Sequence, residues 1–164
     1  MDGDQERFAE FYLSARDDCL RIVYASVGDR DAAEELVAEA FARAWARWST
    51  VSSHPAPRAW IVRTALNQRI SWWRKSRREH LVADLPETQG PKGGDGVDHD
   101  LVRALRRLPL RQREVVALRV FLDLDTQTTA NVLGIAAGTV TAHLARATAS
   151  LKEAYHRTEQ RSQL

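Results

Sequence analysis

Apolar side chains recur along most of the chain at steps of three and four, the spacing of one helix face. The first stripe spans residues 8–23 and is followed by Gly28, so it predicts a helix that ends there. A second stripe, over residues 36–48, predicts a helix that begins near Asp31, whose carboxylate suits a helix start.

A third helix is predicted from Pro57, since proline is favoured in the first helical position. Its apolar stripe consists of Ala59, Val62, Leu66, Ile70 and Trp73. Further along, the stripe over 101–108 stops at Pro109, which begins another helix through about Phe121. Two short helices, near 126–133 and 138–154, are joined by Gly134. No useful length of β alternation occurs, which predicts an all-α fold.

The segment 83–99 has almost no apolar periodicity and reads as a flexible acidic linker. Four of the eight glycines and two of the five prolines lie between residues 86 and 96. We therefore predict two small helical domains, over residues 1–80 and 100–160, joined by a linker over residues 81–99.

Composition narrows the class of protein. Hydrophobic residues make up 44% and charged residues 28%, which is enough for a packed core. The single cysteine, Cys19, excludes an internal disulfide and a multi-cysteine zinc site, and its place on an apolar stripe predicts a buried, inert thiol. No apolar run is long enough to span a membrane, so we expect a cytoplasmic protein without membrane insertion.

The net charge of +2 conceals strong segregation. Residues 1–40 carry −7, residues 41–80 carry +8, residues 81–100 carry −4 and residues 101–164 carry +5. A basic block of this size suits a polyanion, and the acidic block beside it must face a different partner.

The basic block lies on the third predicted helix. Its polar side chains step by three and four, so they share one face: Arg63, Asn67, Ser71, Arg74 and Arg78. Guanidinium groups neutralise phosphates, and Asn67 can pair with a base edge. Trp60 and Trp72 lie off the apolar stripe, where a ring could stack on an unpaired base. A solvated basic face, with tryptophans covering the core, is the alternative.

The acidic residues gather on the second predicted helix, where Asp31, Glu35 and Glu39 step by four with Glu34 alongside. This pattern fits either a solvated helix face or a surface that docks on a basic protein. No histidine or third ligand has a spacing that favours a metal site or acid–base catalysis.

Residues 126–154 carry a helix-turn-helix pattern. Ala130 permits close helix packing, and Gly134 supplies the permissive backbone of the turn. The second helix would project Thr139, Thr141, His143 and Arg146 outward, where a recognition helix meets the major groove. A plain helical hairpin is the alternative.

Three segments, over 31–48, 57–79 and 105–151, together resemble the extracytoplasmic-function sigma factors of bacterial RNA polymerase. The resemblance implies a promoter-melting domain (region two) and a helix-turn-helix domain (region four). Core RNA polymerase and promoter DNA are the implied partners, with an anti-sigma protein as a further candidate. The acidic linker would lead towards the RNA exit path.

The resemblance also implies roles for individual residues. The acidic helix would dock on the β′ clamp helices, with Phe41 and Trp45 mainly in the core. The polymerase-binding residues would be Asp31, Glu34, Glu35 and Glu39. The third helix and the loop 49–54 would hold the single-stranded non-template strand of the −10 element, and the loop would bind a flipped base. The −10 residues would be Ser52, Ser53, His54, Arg58, Arg63, Asn67, Ser71, Trp72, Arg74 and Lys75.

The C-terminal domain would bind duplex DNA at the −35 element, while its apolar surface meets the β flap. The −35 residues would be Arg119, Thr139, Thr141, His143 and Arg146. The recognition helix departs from the family pattern, because Thr141, Ala142 and His143 replace polar or basic residues. A missing bidentate hydrogen-bond pair to a base costs about 1–3 kcal/mol of binding free energy, so we expect weaker −35 reading.

The resemblance favours a non-catalytic initiation subunit without cofactor or metal. One alternative is a helix-turn-helix regulator that binds duplex DNA as a dimer, which would leave the acidic helix and the tryptophans unexplained. Another is a sigma-like decoy that binds polymerase or an anti-sigma protein without directing transcription. An enzyme is the least favoured class, since the sequence contains no catalytic constellation.

Overall fold

The computed structural model describes the backbone of residues 2–79 and 98–164, and the side chains of residues 2–68 and 98–164. These residues are mostly helical and include no strand, as the sequence predicts. The predicted linker, except for its last two residues, lies outside the described residues. No described helix is both long and apolar enough to cross a lipid bilayer.

The chain divides into two compact units. Among the described residues, the first unit comprises 2–24 and 29–79, and the second comprises 25–28 and 98–164. The two domains predicted from the sequence correspond broadly to these units, although their predicted boundaries stay a prediction.

The first unit contains four helices. They are α1 (Asp2–Val27), which contributes all but its last three residues, α2 (Arg30–Ala46), α3 (Trp48–Ser52) and α4 (Pro57–Glu79). Asp29 caps helix α2, because its carboxylate accepts a hydrogen bond from Ala32 N at 3.1 Å, and Asp31 lies in the first turn, near the positive end of the helix dipole.

The core of the first unit follows the predicted stripes. Its fully buried side chains include Ala15, Cys19 and Val23 of α1, Ala33, Ala40 and Ala44 of α2, and Ala59, Ile61, Val62, Ala65 and Leu66 of α4. An aromatic cluster packs against this core, where the rings of Phe8, Phe11 and Tyr12 meet those of Phe41 and Trp48. The predicted core positions Ile70 and Trp73 lie outside the described side chains.

The second unit contains α5 (His99–Arg107), α6 (Leu110–Val116), a π-helical turn (Ala117–Phe121), α7 (Thr126–Leu133) and α8 (Ala137–Ser162). Its core includes Leu105, Leu108, Val116 and Ala147, with Leu151 packed against them. Helix α8 continues to Ser162, well beyond the predicted end near Ala154.

Candidate nucleic-acid interface

The acidic side chains of α2 form an exposed surface. Asp31, Glu34, Glu35 and Glu39 are all exposed, as the spacing predicts. Two of them form ion pairs along the helix, from Arg30 Nε to Glu34 at 3.2 Å and from Arg43 Nε to Glu39 at 3.3 Å. Exposed pairs of this kind contribute little to stability. The face therefore presents carboxylates to solvent, flanked by two arginines.

Trp45 of α2 differs from expectation. Phe41 is buried as expected, but Trp45 is 47% exposed, so its expected place in the core is wrong. One side of its indole rests on Phe8, with the ring centroids 5.1 Å apart. Trp45 comes eleven residues after Glu34, about three helical turns, which places both residues on one face of α2. The apolar stripe over residues 36–48 therefore extends beyond the part of α2 that the neighbouring helices bury.

Arg58 bridges α4 and α1. Its Nη1 lies 2.5 Å from Asp18 Oδ2, and its Nη2 donates to the carbonyl oxygen of Ser14 at 2.8 Å. This guanidinium, which the resemblance assigned to DNA, thus has two partners within the first unit. The carbonyl of Arg58 also faces the thiol of Cys19, with 3.9 Å between sulfur and oxygen.

Cys19 is fully buried. Desolvation by burial raises the pKa of its thiol to about 12, against a smaller lowering effect of Arg58. The thiolate is therefore scarce at neutral pH; the predicted burial of Cys19 is confirmed, and its low reactivity stays a prediction.

Besides Arg58, two of the predicted DNA-binding side chains of α4 are described. Arg63 is half-buried, and its buried Nε has no hydrogen-bond partner among the described residues. Asn67 follows four residues later on the same face and is exposed. The side chains of Ser71, Trp72, Arg74 and Lys75 lie outside the described ones, although the helical backbone continues through Glu79.

The segment between α2 and α4, predicted as a loop, begins with the short helix α3. The hydroxyl of Ser53 donates to the carbonyls of Ser49 and Thr50, at 3.0 and 3.1 Å. His54 Nδ1 accepts the backbone N–H of Ala56 at 2.9 Å. Side chains thus satisfy the backbone of this segment, and the predicted residues Ser52, Ser53 and His54 adjoin one another in a tight turn.

Helix α7 begins at Thr126, as the sequence predicts, and its cap is Asp125. Its carboxylate accepts the backbone N–H of Thr128 at 2.6 Å, and this bond, with the Thr128 hydroxyl, lowers the pKa of Asp125 below its ordinary value. Thr129 is fully buried, and its hydroxyl donates to the carbonyl of Asp125 at 2.9 Å. Thr128 and Thr129 therefore both support this helix start.

Gly134 ends α7 in the left-handed region, with φ of +66°. This conformation is the one in which glycine is favoured, as the turn between the two helices requires. Ile135 N donates to the carbonyl of Ala130 at 3.1 Å, which closes the turn. Helix α8 begins three residues after the glycine, so the helix-turn-helix arrangement of α7 and α8 is present.

The predicted −35 residues of α8 differ in exposure. Thr139, Thr141 and Arg146 are exposed, whereas His143 is half-buried. The Nδ1 atom of His143 is buried and has no hydrogen-bond partner among the described residues. The outward face of α8 therefore carries one arginine, two threonines and part of an imidazole.

The last predicted −35 residue, Arg119, lies in the π-helical turn. Its Nη1 donates to the carbonyl of Leu124, so the guanidinium braces the chain before α7. The same turn leaves Val120 58% exposed and Phe121 37% exposed. Sequence periodicity missed this apolar surface, because a π turn rotates the side chains away from the positions of an α-helix.

Known proteins match both units. The family model described as Sigma-70 region 2 matches residues 11–79, and the model described as Sigma-70, region 4, matches residues 98–151. Together these ranges contain every candidate site residue named above.

Curated relatives match over nearly the whole chain. The RNA polymerase sigma-E factor of Streptomyces coelicolor is 34% identical over 156 residues, which cover 92% of this chain and 87% of that protein. The ECF RNA polymerase sigma factor SigW of Bacillus subtilis is 25% identical over 168 residues, covering 92% of this chain and 90% of that one.

One solved structure shares the fold. It is the sigma factor RpoE in complex with the anti-sigma factor NepR from Bartonella quintana, with a TM-score of 0.74 and 23% sequence identity. The match covers 92% of this chain and 98% of the RpoE chain. The order of the two matched regions, the helix-turn-helix and the sigma-E relatives agree with the resemblance seen in the sequence. The chain belongs to the extracytoplasmic-function sigma factors, which serve RNA polymerase in the initiation of transcription.

Proposed function

We propose that this sigma factor binds core RNA polymerase through α2, reads and opens the −10 element with α4 and the turn before it, and contacts the −35 element with α8. Polymerase would supply the catalysis, so the chain acts in the cytoplasm as a non-enzymatic subunit. The observation that carries the proposal is the exposed acidic face of α2, which lies on a different helix of the unit from Arg63 and Asn67 of α4.

The acidic face of α2 supports docking on a basic protein surface. Its carboxylates are exposed, and repulsion from phosphates would keep DNA away from this side of the unit. We propose the β′ clamp helices as the partner. Trp45, half-exposed on the side of α2 that carries Glu34, would add an aromatic anchor of the kind that dominates binding energy at protein interfaces.

The face of α4 that carries Arg63 and Asn67 supports contact with the −10 strand. Arg63 has a buried Nε without a described partner, and Asn67 can both donate to and accept from a base. Ser71 and Arg74 belong to the same predicted polar face, two to three turns after Arg63, and Lys75 follows them in sequence. Binding the opened strand better than the duplex would shift the equilibrium towards the open promoter.

The exposed side of α8 supports a duplex contact at −35. Thr139, Thr141 and Arg146 are available to bases and phosphates, while His143 is partly withdrawn. With one cation in this part of α8, we expect a modest contribution to affinity from the −35 element. The exposed Val120 and Phe121 would form the apolar surface that meets the β flap.

The RpoE structure contains an anti-sigma factor. We propose that this chain also has an anti-sigma partner, which would compete with polymerase for the acidic face of α2. Binding of one protein would then exclude the other.

Transcription from a random promoter library, with core polymerase and the purified chain, tests the proposal. We expect enrichment of a strong −10 sequence and a weaker −35 sequence. Polymerase binding without promoter-directed transcripts would identify a decoy. Duplex binding without polymerase affinity would identify a plain regulator.

Matched pairs of variants test whether α2 binds polymerase and whether α8 selects the −35 element. Glu35→Lys should weaken polymerase binding by at least about tenfold, because it reverses a charge on the docking face. Glu10→Lys, which reverses an exposed acid of α1, is the control and should bind normally. On α8, Arg146→Ala should reduce −35 selection, whereas Arg161→Ala, near the end of the same helix, should not.

A further inference from the structure

Arg43 lies on the edge of α2 that adjoins α4. The side-chain oxygen of Gln68, on α4, is 2.7 Å from Arg43 Nε and 3.2 Å from both Nη1 and Nη2. An oxygen in the plane of a guanidinium can approach two of its nitrogens but not all three, so this oxygen rests on the face of the group. The contact therefore holds the plane of the guanidinium and leaves its in-plane N–H groups available.

The in-plane donors of Arg43 are only partly used. The N–H of Nε donates to Glu39 Oε1 at 3.3 Å, one turn earlier on the same helix. The outer edge carries two parallel N–H groups, one on Nη1 and one on Nη2, and they have no in-plane partner among the described residues. The Arg43 side chain is 57% exposed. Helix α2 thus presents to solvent a guanidinium fork that Gln68 holds in place.

Arg43 belongs to the basic part of the chain. Residues 41–80 carry +8, whereas the acidic residues of α2 precede residue 40. Arg47, one turn after Arg43, is exposed and adds a second cation at the end of α2. Asn67, which immediately precedes Gln68, is exposed on the proposed −10 side of α4. A DNA strand bound at Asn67 would therefore lie close to Arg43.

A guanidinium fork binds an oxyanion through two parallel hydrogen bonds, and the oxyanion is either a phosphate or a carboxylate. The position of Arg43 on α2 favours a phosphate. Arg43 comes nine residues after Glu34, about two and a half turns, which places it on the opposite side of α2 from Glu34 and Trp45. The fork therefore lies away from the proposed aromatic anchor for polymerase and next to the helix proposed to bind DNA.

We propose that Arg43 binds one backbone phosphate of the promoter, so that the DNA-binding surface extends from α4 onto the adjoining edge of α2. Gln68 is a positioning residue, because it holds the plane of the guanidinium. This assignment rests on the proposed function. It adds a contact that fixes the position of the strand without reading its sequence.

The salt dependence of DNA binding tests for a phosphate contact. The reconstituted polymerase holoenzyme is titrated with a fluorescent, partly opened promoter fragment at several salt concentrations. We expect Arg43→Ala to weaken binding about three- to tenfold for every −10 sequence, and to reduce the slope of log K against log salt by about 0.7–0.9. Arg43→Lys keeps the charge but lacks the fork, so it should keep the slope and recover part of the affinity. Arg16→Ala, which removes an exposed arginine paired with Asp17 on α1, is the control and should change neither quantity.

Two further measurements test the geometry. Gln68→Ala leaves the charge of Arg43 in place, so we expect an unchanged salt slope and binding that is about twofold weaker. A promoter with one neutral methylphosphonate linkage removes a single phosphate charge. At one linkage this change should weaken binding by the wild type but not by Arg43→Ala, in which the partner of that phosphate is already absent.

Three outcomes would overturn the assignment. Arg43→Ala could leave both the affinity for DNA and the salt slope at wild-type values, which would identify a solvated side chain. It could weaken binding to core polymerase while the assembled holoenzyme binds DNA normally, which would identify a carboxylate of polymerase as the partner. The loss could be confined to certain −10 sequences, which would identify a base contact. Failure of the wild-type holoenzyme to bind any promoter would instead refute the proposed function, and this assignment with it.

Discussion

The two helices proposed to meet DNA, α4 and α8, are held in different ways. Over residues 57–68, α4 buries five side chains almost completely, and it packs mainly against α2. Helix α8 is more than twice as long as that stretch, yet only Val140 and Ala147 are buried along it. Helix α4 thus has a continuous buried face over this stretch, whereas α8 packs against α5, α6 and α7 with few fully buried side chains.

The two helices also differ in their apolar and charged residues. Helix α4 combines a dense apolar face with a run of arginines, and α8 presents mainly threonine, alanine and one arginine in its first three turns. The proposed −10 surface is therefore firmly packed and strongly charged. The proposed −35 surface has fewer buried side chains beneath it and fewer charges on it. Substitutions there should therefore have smaller and more local effects.

The largest effect should come from the core beneath α4. Leu66→Ala removes a side chain that is almost fully buried, which should lower the free energy of unfolding by about 2–5 kcal/mol. Tryptophan fluorescence during urea unfolding measures this, since all five tryptophans precede residue 80. Leu13→Ala, which truncates a leucine that is 77% exposed in the same unit, is the control and should change the value by less than about 0.5 kcal/mol. Equal losses in both variants would contradict the packing described for α4.

Helix ends were predictable where a residue acts on its own backbone. Pro57, Pro109 and Gly134 restrict or release local dihedral angles, and the structure places helix boundaries at or next to each of them. Asp125 caps α7 for the same local reason. These features need no knowledge of distant contacts.

Features that depend on distant partners were not predictable. Trp45 and Leu101 continue apolar stripes, but both are exposed, and Phe8 of α1 covers only one side of the Trp45 indole. Arg58 lies in a basic run, but Asp18, forty residues earlier, takes its guanidinium. The break between α2 and α3 and the π-helical turn carry no glycine or proline that could have marked them.

A substitution at Gly134, in the turn between α7 and α8, should lower stability more than the free space around this residue suggests. A Cβ on Gly134 would meet no atom within 4 Å, so Gly134→Ala should destabilise only through its φ of +66°, by about 1–2 kcal/mol. Gly138→Ala also has free space but lies in the first turn of α8, where alanine should stabilise by about 0.5 kcal/mol. Circular dichroism during thermal unfolding compares the two. The same sign for both would mean that backbone strain does not control this turn.

Arg58 offers a smaller test within the first unit. Arg58→Ala removes the ion pair to Asp18 and the hydrogen bond to the Ser14 carbonyl. Because both ionic side chains are about half-exposed, we expect the free energy of unfolding to fall by about 0.5–1 kcal/mol. Arg16→Ala, which removes a pair with its chain neighbour Asp17, should cost less. Denaturant unfolding at low and high salt measures both variants. If Arg58→Ala left stability unchanged but reduced promoter opening, the result would indicate that Arg58 contacts DNA.

The smallest effect concerns the cap of α7, in the second unit, which also contains α8. Hydrogen bonds from Thr128 lower the pKa of Asp125 in the folded chain, so the folded state stabilises the carboxylate. This contribution is complete above the ordinary pKa of 3.8 and is lost as the pH falls through the lower, folded value. Asp125→Asn keeps an acceptor for Thr128 but cannot titrate, so its thermal midpoint should fall less than that of the wild type between neutral pH and pH below 3.8. An identical acid response in the two proteins would show that other carboxylates govern the acid lability of the second unit, and that its turn is held by Gly134 and the apolar contacts of α8 instead.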